Sequence, residues 1–291
     1  MGSRARYRYE PIVDRPHFFW PGDATVALWV VPNIEYYPFD APGPAINERA
    51  VTASPDVLNS SWREYGPRVG MWRLLDCLDA VGVPVSATLN SEVCDIYPRL
   101  VEEGVSRGWE WIAHGTNNST RLTGLSLEEE RSLVTSVVSR ISEATGRRPR
   151  GWLGPGLAET EHTPETVLKA GLDYVCDWIA DDLPIRLDAE GGPVWAMPYS
   201  IHLNDMELLL RQRMTGPDYF EALTDAFDQL CREGGRERRG RVMAVPLYPF
   251  LTGHARYAKH LQNALEVIAG SRHTWPATGA EILDHYAEVV A

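Results

Sequence analysis

The chain has 291 residues, of which 44% are hydrophobic and 23% charged, and its formal net charge is −12. These values are typical of one soluble α/β domain with a large core, and the acidic balance argues against nucleic acid or anionic membranes as partners. We find no secretory signal, no run of about 20 apolar residues and no Cys-x-x-Cys pair among the four cysteines. We therefore expect a cytoplasmic protein with reduced thiols.

Residues 1–23 are rich in Arg, Tyr, Pro and Phe, and they predict an extended arm packed on the surface. Residues 24–31 form an apolar run typical of a buried strand, whereas 38–67 contain many Pro, Asn and Ser and predict a long loop. Strand-like and helix-like segments alternate in the rest of the chain. We predict helices at 69–80, 94–107, 126–145, 163–170, 218–232, 258–269 and 279–290, and further strands at 85–89, 109–113, 151–153, 174–176, 194–197, 241–247 and 274–275.

This alternation predicts a parallel sheet wrapped by helices. Its first strand is not followed by Gly-x-Gly-x-x-Gly, and the chain has no Gly-Lys-Ser/Thr loop, so dinucleotide-binding and P-loop folds are disfavoured. We expect an α/β fold in the form of a distorted (β/α) barrel with about seven parallel strands. It would occupy residues 24–291 as a single domain behind the arm of residues 1–23.

The most informative segment is an apolar run that ends in a histidine. Residues 109–113 predict a strand, His114 follows it directly, and Gly115 and a polar cluster come next. Parallel α/β barrels place their active sites at the carboxyl ends of the strands, which is where His114 falls. The metal-binding spacing His-x-x-x-His is not completed, because its second position is Asn118. The sequence thus raises the question of whether a metal is bound here.

Polar residues follow the other predicted strands as well. Side chains that can do acid–base chemistry or bind a carbonyl compound would meet at one rim of the barrel. Each also has a structural alternative, such as an N-cap, an Asx turn or a hydrogen bond to main-chain amides. These rim residues are Asn33, Glu35, Asn90, Glu92, His114, Asn118, Asp177, Asp181, Asp182, His202, Asn204, Asp205, Tyr248 and His254.

The segments between residues 24 and 287 resemble the polysaccharide deacetylase superfamily, and within it the cytoplasmic branch of allantoinase-like cyclic-ureide hydrolases and peptidoglycan deacetylase-like proteins. The resemblance implies a distorted seven-stranded barrel and hydrolysis of a C–N bond. It is carried by Asn33-Ile34-Glu35, Glu64-Tyr-Gly-Pro-Arg-Val-Gly70, His114-Gly115, Gly151-Trp-Leu-Gly-Pro155, Asp177-Trp-x-x-Asp-Asp182-Leu-Pro184, Pro198-Tyr199, Asn204-Asp205 and Leu247-Tyr-Pro-Phe-Leu-Thr-Gly253.

The same resemblance assigns roles to individual positions. Glu35 falls on the family's catalytic base, Tyr36 on its ligand aspartate, and His114 on its first ligand histidine. Asn118 replaces the second ligand histidine, and Tyr248 falls on the acid histidine. Only one of three expected metal ligands is therefore retained, and Asn is a poor zinc ligand. We expect no cofactor, although a divalent metal such as zinc held by Glu35, His114 and Asn118 stays open.

From these residues we predict a hydrolase that acts on an amide, cyclic imide or ureide. Glu35 would activate water, His114 would polarise the carbonyl or protonate the leaving nitrogen, and Asp177 would orient His114 or bind a substrate N–H. Asn118 and Tyr248 would donate hydrogen bonds to the oxyanion. The predicted substrate-binding residues are Asn33, Tyr36, Asn118, Trp152, Asp182, Asn204, Asp205 and Tyr248.

Two alternatives remain open from the sequence. One is a metal-dependent carbohydrate or peptidoglycan N-deacetylase, and the other is a catalytically inactive relative that binds a small molecule. In each case the partner is a small molecule, with neither nucleic acid nor a membrane involved. The aromatic arm at residues 1–23 also leaves a homo-oligomer open.

Overall fold

The computed structural model describes residues 6–290 as a curled, mostly parallel sheet with helices packed on its outer face. Its strands are β1 Val26–Ile34, β2 Ser86–Leu89, β3 Glu110–Ala113, β4 Gly151–Trp152, β5 Tyr174–Val175, β6 Ile185–Ala189, β7 Gly192–Ala196, β8 Arg241–Leu247 and β9 Thr274–Pro276. The expected α/β fold, a distorted (β/α) barrel, is confirmed.

The helices lie between the strands along the chain. They are α1 Val57–Tyr65, α2 Met71–Val81, α3 Val93–Ile96, α4 Pro98–Ser106, α5 Leu127–Thr145, α6 Thr163–Lys169, α7 Gly216–Glu237, α8 Ala255–Ala269 and α9 Gly279–Val289. Short 3-10 turns occupy Ile12–Asp14, Pro21–Asp23 and Glu48–Thr52, and π-helical turns occupy Gly66–Gly70 and Met206–Arg211. Within residues 6–290, no helix is long and apolar enough to cross a membrane.

The strand order is β6-β7-β5-β4-β3-β2-β1-β8, with β9 beside the start of β1. All pairs are parallel except β6 with β7, which form an antiparallel hairpin. The sheet curls so far that its ends meet, since the amide of Val242 in β8 donates to the carbonyl of Asp182 before β6 at 3.0 Å. The carboxyl ends of the parallel strands thus surround one rim.

Alternation along β1 separates the core into two layers. Val26, Leu28 and Val30 pack against the helices, whereas Ala27 and Trp29 face the concave side of the sheet. This follows from the two-residue period of a strand. Helix α9 packs on the concave layer, so the interior of the curled sheet is filled with side chains.

Three expectations about the elements need correction. The predicted loop at 38–67 contains α1, which begins after Asp56, whose side chain accepts from the Asn59 amide. The hairpin strand β6 was not predicted, whereas the eight parallel strands among the described residues agree with the expectation of about seven. The arm is more than a surface layer, because Phe18 and Trp20 are buried in the concave core.

Candidate active site at the carboxyl rim of the sheet

Glu35 and His114 form the centre of the site. Glu35 follows β1 and His114 follows β3, so the parallel strands bring both side chains to the same rim. Nε2 of His114 lies 3.1 Å from Oε1 of Glu35, and the two side chains are only 2% and 1% exposed. The main chain of His114 is fixed by its amide, which donates to Leu89, and by its carbonyl, which accepts from the Asn90 side chain.

The contacts of His114 fix how many protons this pair carries. Nδ1 lies 2.6 Å from the carbonyl oxygen of Leu153. Because a carbonyl can only accept, Nδ1 must carry a proton. A second proton is needed between Nε2 and the Glu35 carboxylate for their contact to be a hydrogen bond. The pair therefore shares one proton between Nε2 of His114 and Oε1 of Glu35.

Tyr37 extends this pair, and the sequence reasoning did not identify it. Its hydroxyl donates to Oε2 of Glu35 at 2.5 Å and accepts from Nδ2 of Asn118 at 2.6 Å. Burial, followed by the neighbouring Glu35 charge, raises the pKa of Tyr37 well above its usual value, so the phenol stays protonated. The signal was present in the sequence, because alternate residues of an extended segment share a face and Tyr37 is two residues from Glu35.

Asn33 lies two residues before Glu35, below it in the barrel, and its polar atoms form hydrogen bonds with other residues of the protein. Its Oδ1 accepts from Thr88 at 2.9 Å and from the Tyr199 hydroxyl at 3.2 Å. Its Nδ2 donates to the carbonyl of Leu247 at 3.2 Å. The side chain joins β1, β2 and β8 below the site, so its observed contacts are structural and not directed at a substrate.

Tyr248 faces the site from the end of β8. No hydrogen bond of its hydroxyl to another part of residues 6–290 is found, and burial raises its pKa well above the usual value, so it can donate to a ligand. Its amide donates to Asp205 at 2.8 Å, as does the hydroxyl of Thr252. Asn204 accepts from the amide of Met206 at 2.8 Å. Asn204 and Asp205 thus support the loops around Tyr248.

Asp177 lies near His114, and it contacts the main chain of Gly154 and the carboxyl group of Glu159. Both of its oxygens accept from the amide of Gly154 at 3.0 Å. Burial raises the pKa of Asp177, and the nearby His114 charge opposes this shift. Burial and then the Asp177 charge raise the pKa of Glu159, which accepts from the Trp178 indole at 2.7 Å.

Three predicted substrate-binding residues do not meet the others. Tyr36 does not line the cavity, and its ring packs edge-on against Tyr97. Trp152 is fully buried in the layer between sheet and helices. The carboxylate of Asp182 lies 3.8 Å from Arg241, at the start of β8 and therefore at the opposite end of the sheet. The prediction for each of these residues depended on the direction of its side chain, which the sequence did not specify.

A cavity of about 1470 Å³ opens above the site. Tyr37, His114, Asn118 and Tyr248 line its floor, and Glu35 lies behind His114 and Tyr37. Cationic side chains outnumber anionic ones in the wall, although the chain is acidic overall. The wall includes Arg49, Arg121, Arg211, Arg213 and Arg256 beside Glu48 and Glu207. The arrangement suits a polar ligand with an electron-rich carbonyl group.

The residues at this site do not fit a zinc ion well. Structural and catalytic zinc sites use three or four donors from Cys, His, Asp and Glu. Within residues 6–290, no group of three such residues is placed to hold a metal ion. The groups in the hydrogen-bonded chain that starts at His114 are one carboxylate, a phenol and an amide. The donors at this site therefore do not support a metal-dependent step.

Part of the chain is similar to known polysaccharide deacetylases. The family profile described as Polysaccharide deacetylase matches residues 64–175, a stretch that contains His114 and Asn118. The Schizosaccharomyces pombe protein named "Putative polysaccharide deacetylase" is 27% identical over 235 residues, which cover 75% of this chain and 73% of that protein.

Two solved structures share the fold over nearly the whole chain. The crystal structure of Puue allantoinase is 27% identical, with a TM-score of 0.83 and coverage of 94% of both chains. A probable polysaccharide deacetylase from Pseudomonas aeruginosa PAO1 is also 27% identical, with a TM-score of 0.83 and coverage of 94% of this chain and 95% of that one. Residues 64–175 thus match the polysaccharide deacetylase profile, and the chain has the fold of the allantoinase and deacetylase structures.

Proposed function

We propose that this protein hydrolyses a non-peptide C–N bond in an amide, cyclic imide or ureide. The observation that carries the proposal is the buried contact between Glu35 and His114 at the floor of the large cavity. The polysaccharide deacetylase domain and the likeness to an allantoinase structure support the same reaction class. Deacetylation and the hydrolysis of a cyclic ureide both add water to a carbonyl carbon that is bonded to nitrogen.

The proton inventory of the pair suits this chemistry. Glu35, as a carboxylate, accepts a proton from the attacking water, and the oxygen of that water forms a bond to the carbonyl carbon. His114, as an imidazolium, gives its proton to the nitrogen as the C–N bond breaks. The proton on Glu35 then returns to His114 across the 3.1 Å contact, which restores the starting state.

Substrate access defines the remaining roles. The Glu35 oxygens already contact His114 and Tyr37, so attacking water must enter between these side chains from the cavity. In this proposal, the hydroxyl of Tyr248 donates to the carbonyl oxygen as negative charge develops there. A donor of this kind contributes roughly 2.7–4 kcal/mol to transition-state stabilisation.

The first test is the variant Glu35→Gln with a panel of cyclic ureides, imides and N-acetylated sugars. Loss of the base should lower kcat by about 10²–10⁴-fold on whichever compound the native protein hydrolyses. Glu130→Gln is the matched control, because Glu130 is equally buried but bonds Thr160 and Thr163 away from the cavity. Full turnover by folded Glu35→Gln would exclude Glu35 as the base.

A second candidate substrate class is an N-acetylated carbohydrate. The observation in its favour is the cavity volume of about 1470 Å³, which exceeds the range of about 300–1,000 Å³ common for small-ligand pockets. Turnover of acetylated sugars, with none on ureides or imides, would select this class. If none of these compounds is hydrolysed and Glu35→Gln has no effect, the result would favour a protein that binds its ligand without reaction.

A further inference from the structure

The orientation of the Asn118 amide is set by the chain of hydrogen bonds that begins at Glu35. The carboxylate of Glu35 can only accept, so Tyr37 directs its one hydroxyl proton to Oε2. The Tyr37 oxygen then accepts, and Asn118 must present its NH₂ group to it. Rotating the amide by 180° would place Oδ1 against an oxygen that has no proton left to give.

This order of donors leaves Oδ1 of Asn118 as the free end of the chain. Oδ1 is shielded from water and has no hydrogen-bond partner within residues 6–290, although Asn118 lines the cavity. The backbone of Asn118 is fixed as well, because its amide donates to the carbonyl of Tyr36 at 2.9 Å. A buried acceptor without a donor is unfavourable, and a donor from a ligand in the cavity would relieve it.

We propose that Tyr37 is a positioning residue that holds Oδ1 of Asn118 as an acceptor for a substrate N–H, and that the enzyme therefore selects amides, imides or ureides whose nitrogen carries hydrogen. The inference rests on the proposed function only in so far as the bound ligand is a substrate. The N–H selectivity itself is a property of binding and can be measured without turnover. N-alkylated analogues would leave Oδ1 unpaired and place a methyl group against it.

The experiment compares succinimide with N-methylsuccinimide, which differ by one N–H, in equilibrium binding to the full-length protein by calorimetry. We expect the native protein to bind succinimide about tenfold more tightly or better, the effect of pairing one buried acceptor. In Tyr37→Phe, the amide of Asn118 is free to rotate, so this preference should largely disappear. A purely steric effect of the methyl group would remain in that variant.

Two further variants keep the test decisive. Tyr219→Phe is the matched control, because Tyr219 is fully buried, lies outside the cavity and has no hydrogen-bond partner for its hydroxyl within the described residues. It should keep the native preference. Asn118→Ala removes the acceptor and should lose the preference even if Tyr37→Phe does not fold.

The proposal is overturned if the two ligands bind the native protein equally, if neither binds, or if Tyr37→Phe or Asn118→Ala retains the native preference. N–H selectivity without hydrolysis would support the inference while contradicting the proposed function. Hydrolysis with equal binding of both ligands would support the proposed function and contradict the inference. The two ideas can therefore fail separately.

Discussion

Tyr36 and Tyr37 are adjacent residues with opposite surroundings. Both follow β1 in an extended stretch, so their side chains point to opposite sides. The Tyr37 hydroxyl contacts Glu35 and Asn118, whereas the Tyr36 ring packs against Tyr97. Matching by family position selected Tyr36, but the two-residue period from Glu35 would have selected Tyr37. Side-chain direction therefore determines the site more closely than the position in the sequence does.

Asp205 predicts a pH effect at the level of one residue. It is fully buried, and burial raises its pKa to about 7, although bonds from Tyr248 and Thr252 oppose the shift. The folded state then binds this proton more tightly than the unfolded state. Asp205 therefore costs no stability below pH about 4 and lowers stability as the pH rises toward 7.

Urea unfolding at pH 5 and pH 8 checks this expectation with Asp205→Asn. The native protein should lose more stability than the variant over this interval, by up to about 1.4 kcal/mol for each pH unit within the window. Other buried carboxyls, such as Asp177 and Glu159, titrate in both proteins and so cancel in the comparison. An equal change in native protein and variant would contradict the role of Asp205.

At the level of the elements, the π-helical turn Gly66–Gly70 supports the segment that carries Tyr248. A Cβ added at Gly70 would lie 1.9 Å from the carbonyl oxygen of Pro249, and one added at Gly253 would lie 2.4 Å from Cα of Gly70. Two backbones thus meet without side chains between them. This close approach places the end of β8 against the start of α2.

Gly70→Ala should therefore destabilise the protein by about 1–3 kcal/mol and lower turnover by displacing Tyr248. Gly235→Ala is the control in helix α7, where an added Cβ meets nothing within 4 Å. There the reduced flexibility of the unfolded chain should raise stability by about 0.4–1 kcal/mol. Thermal or urea unfolding measures the stability of both variants, and equal stability of the two would contradict the close contact at Gly70.

For the whole molecule, the curled parallel sheet explains how residues 79 positions apart along the chain come to share a proton. Glu35 and His114 each leave the carboxyl end of a strand, and β2 lies between those strands. The deep core positions the pair rigidly, since both side chains are almost fully buried. The large cavity above them gives a ligand access to His114.

The donor set of this site leads to a prediction about metal content. Protein purified without a metal-affinity column should contain less than stoichiometric zinc by elemental analysis, because the rim offers Glu35 and His114 but neither a second histidine nor an aspartate at position 36. Turnover should also persist in the presence of a chelator. Zinc at one equivalent, or activity lost to the chelator and restored by zinc or cobalt, would contradict this ligand argument.

The local sequence specified much of this protein. Apolar runs predicted most strands and helices, and Ser126 and Glu129 form a local capping box at the start of α5 in the structure. These features depend on neighbouring residues, so a linear pattern contains them. The positions of Glu35 and His114 at strand ends followed from the same pattern, together with the rule that parallel strands end at a common rim.

Tertiary structure decided which of the rim residues meet. The contact of Tyr37 with Asn118, the burial of Trp152 and the placement of Asp182 at the opposite end of the sheet all depend on side-chain directions and on the curl of the sheet. Short strands and loops leave these directions undetermined, because packing between segments distant in sequence selects them. The sequence by itself thus determined the fold class and the central pair, and packing between distant segments assembled the site around that pair.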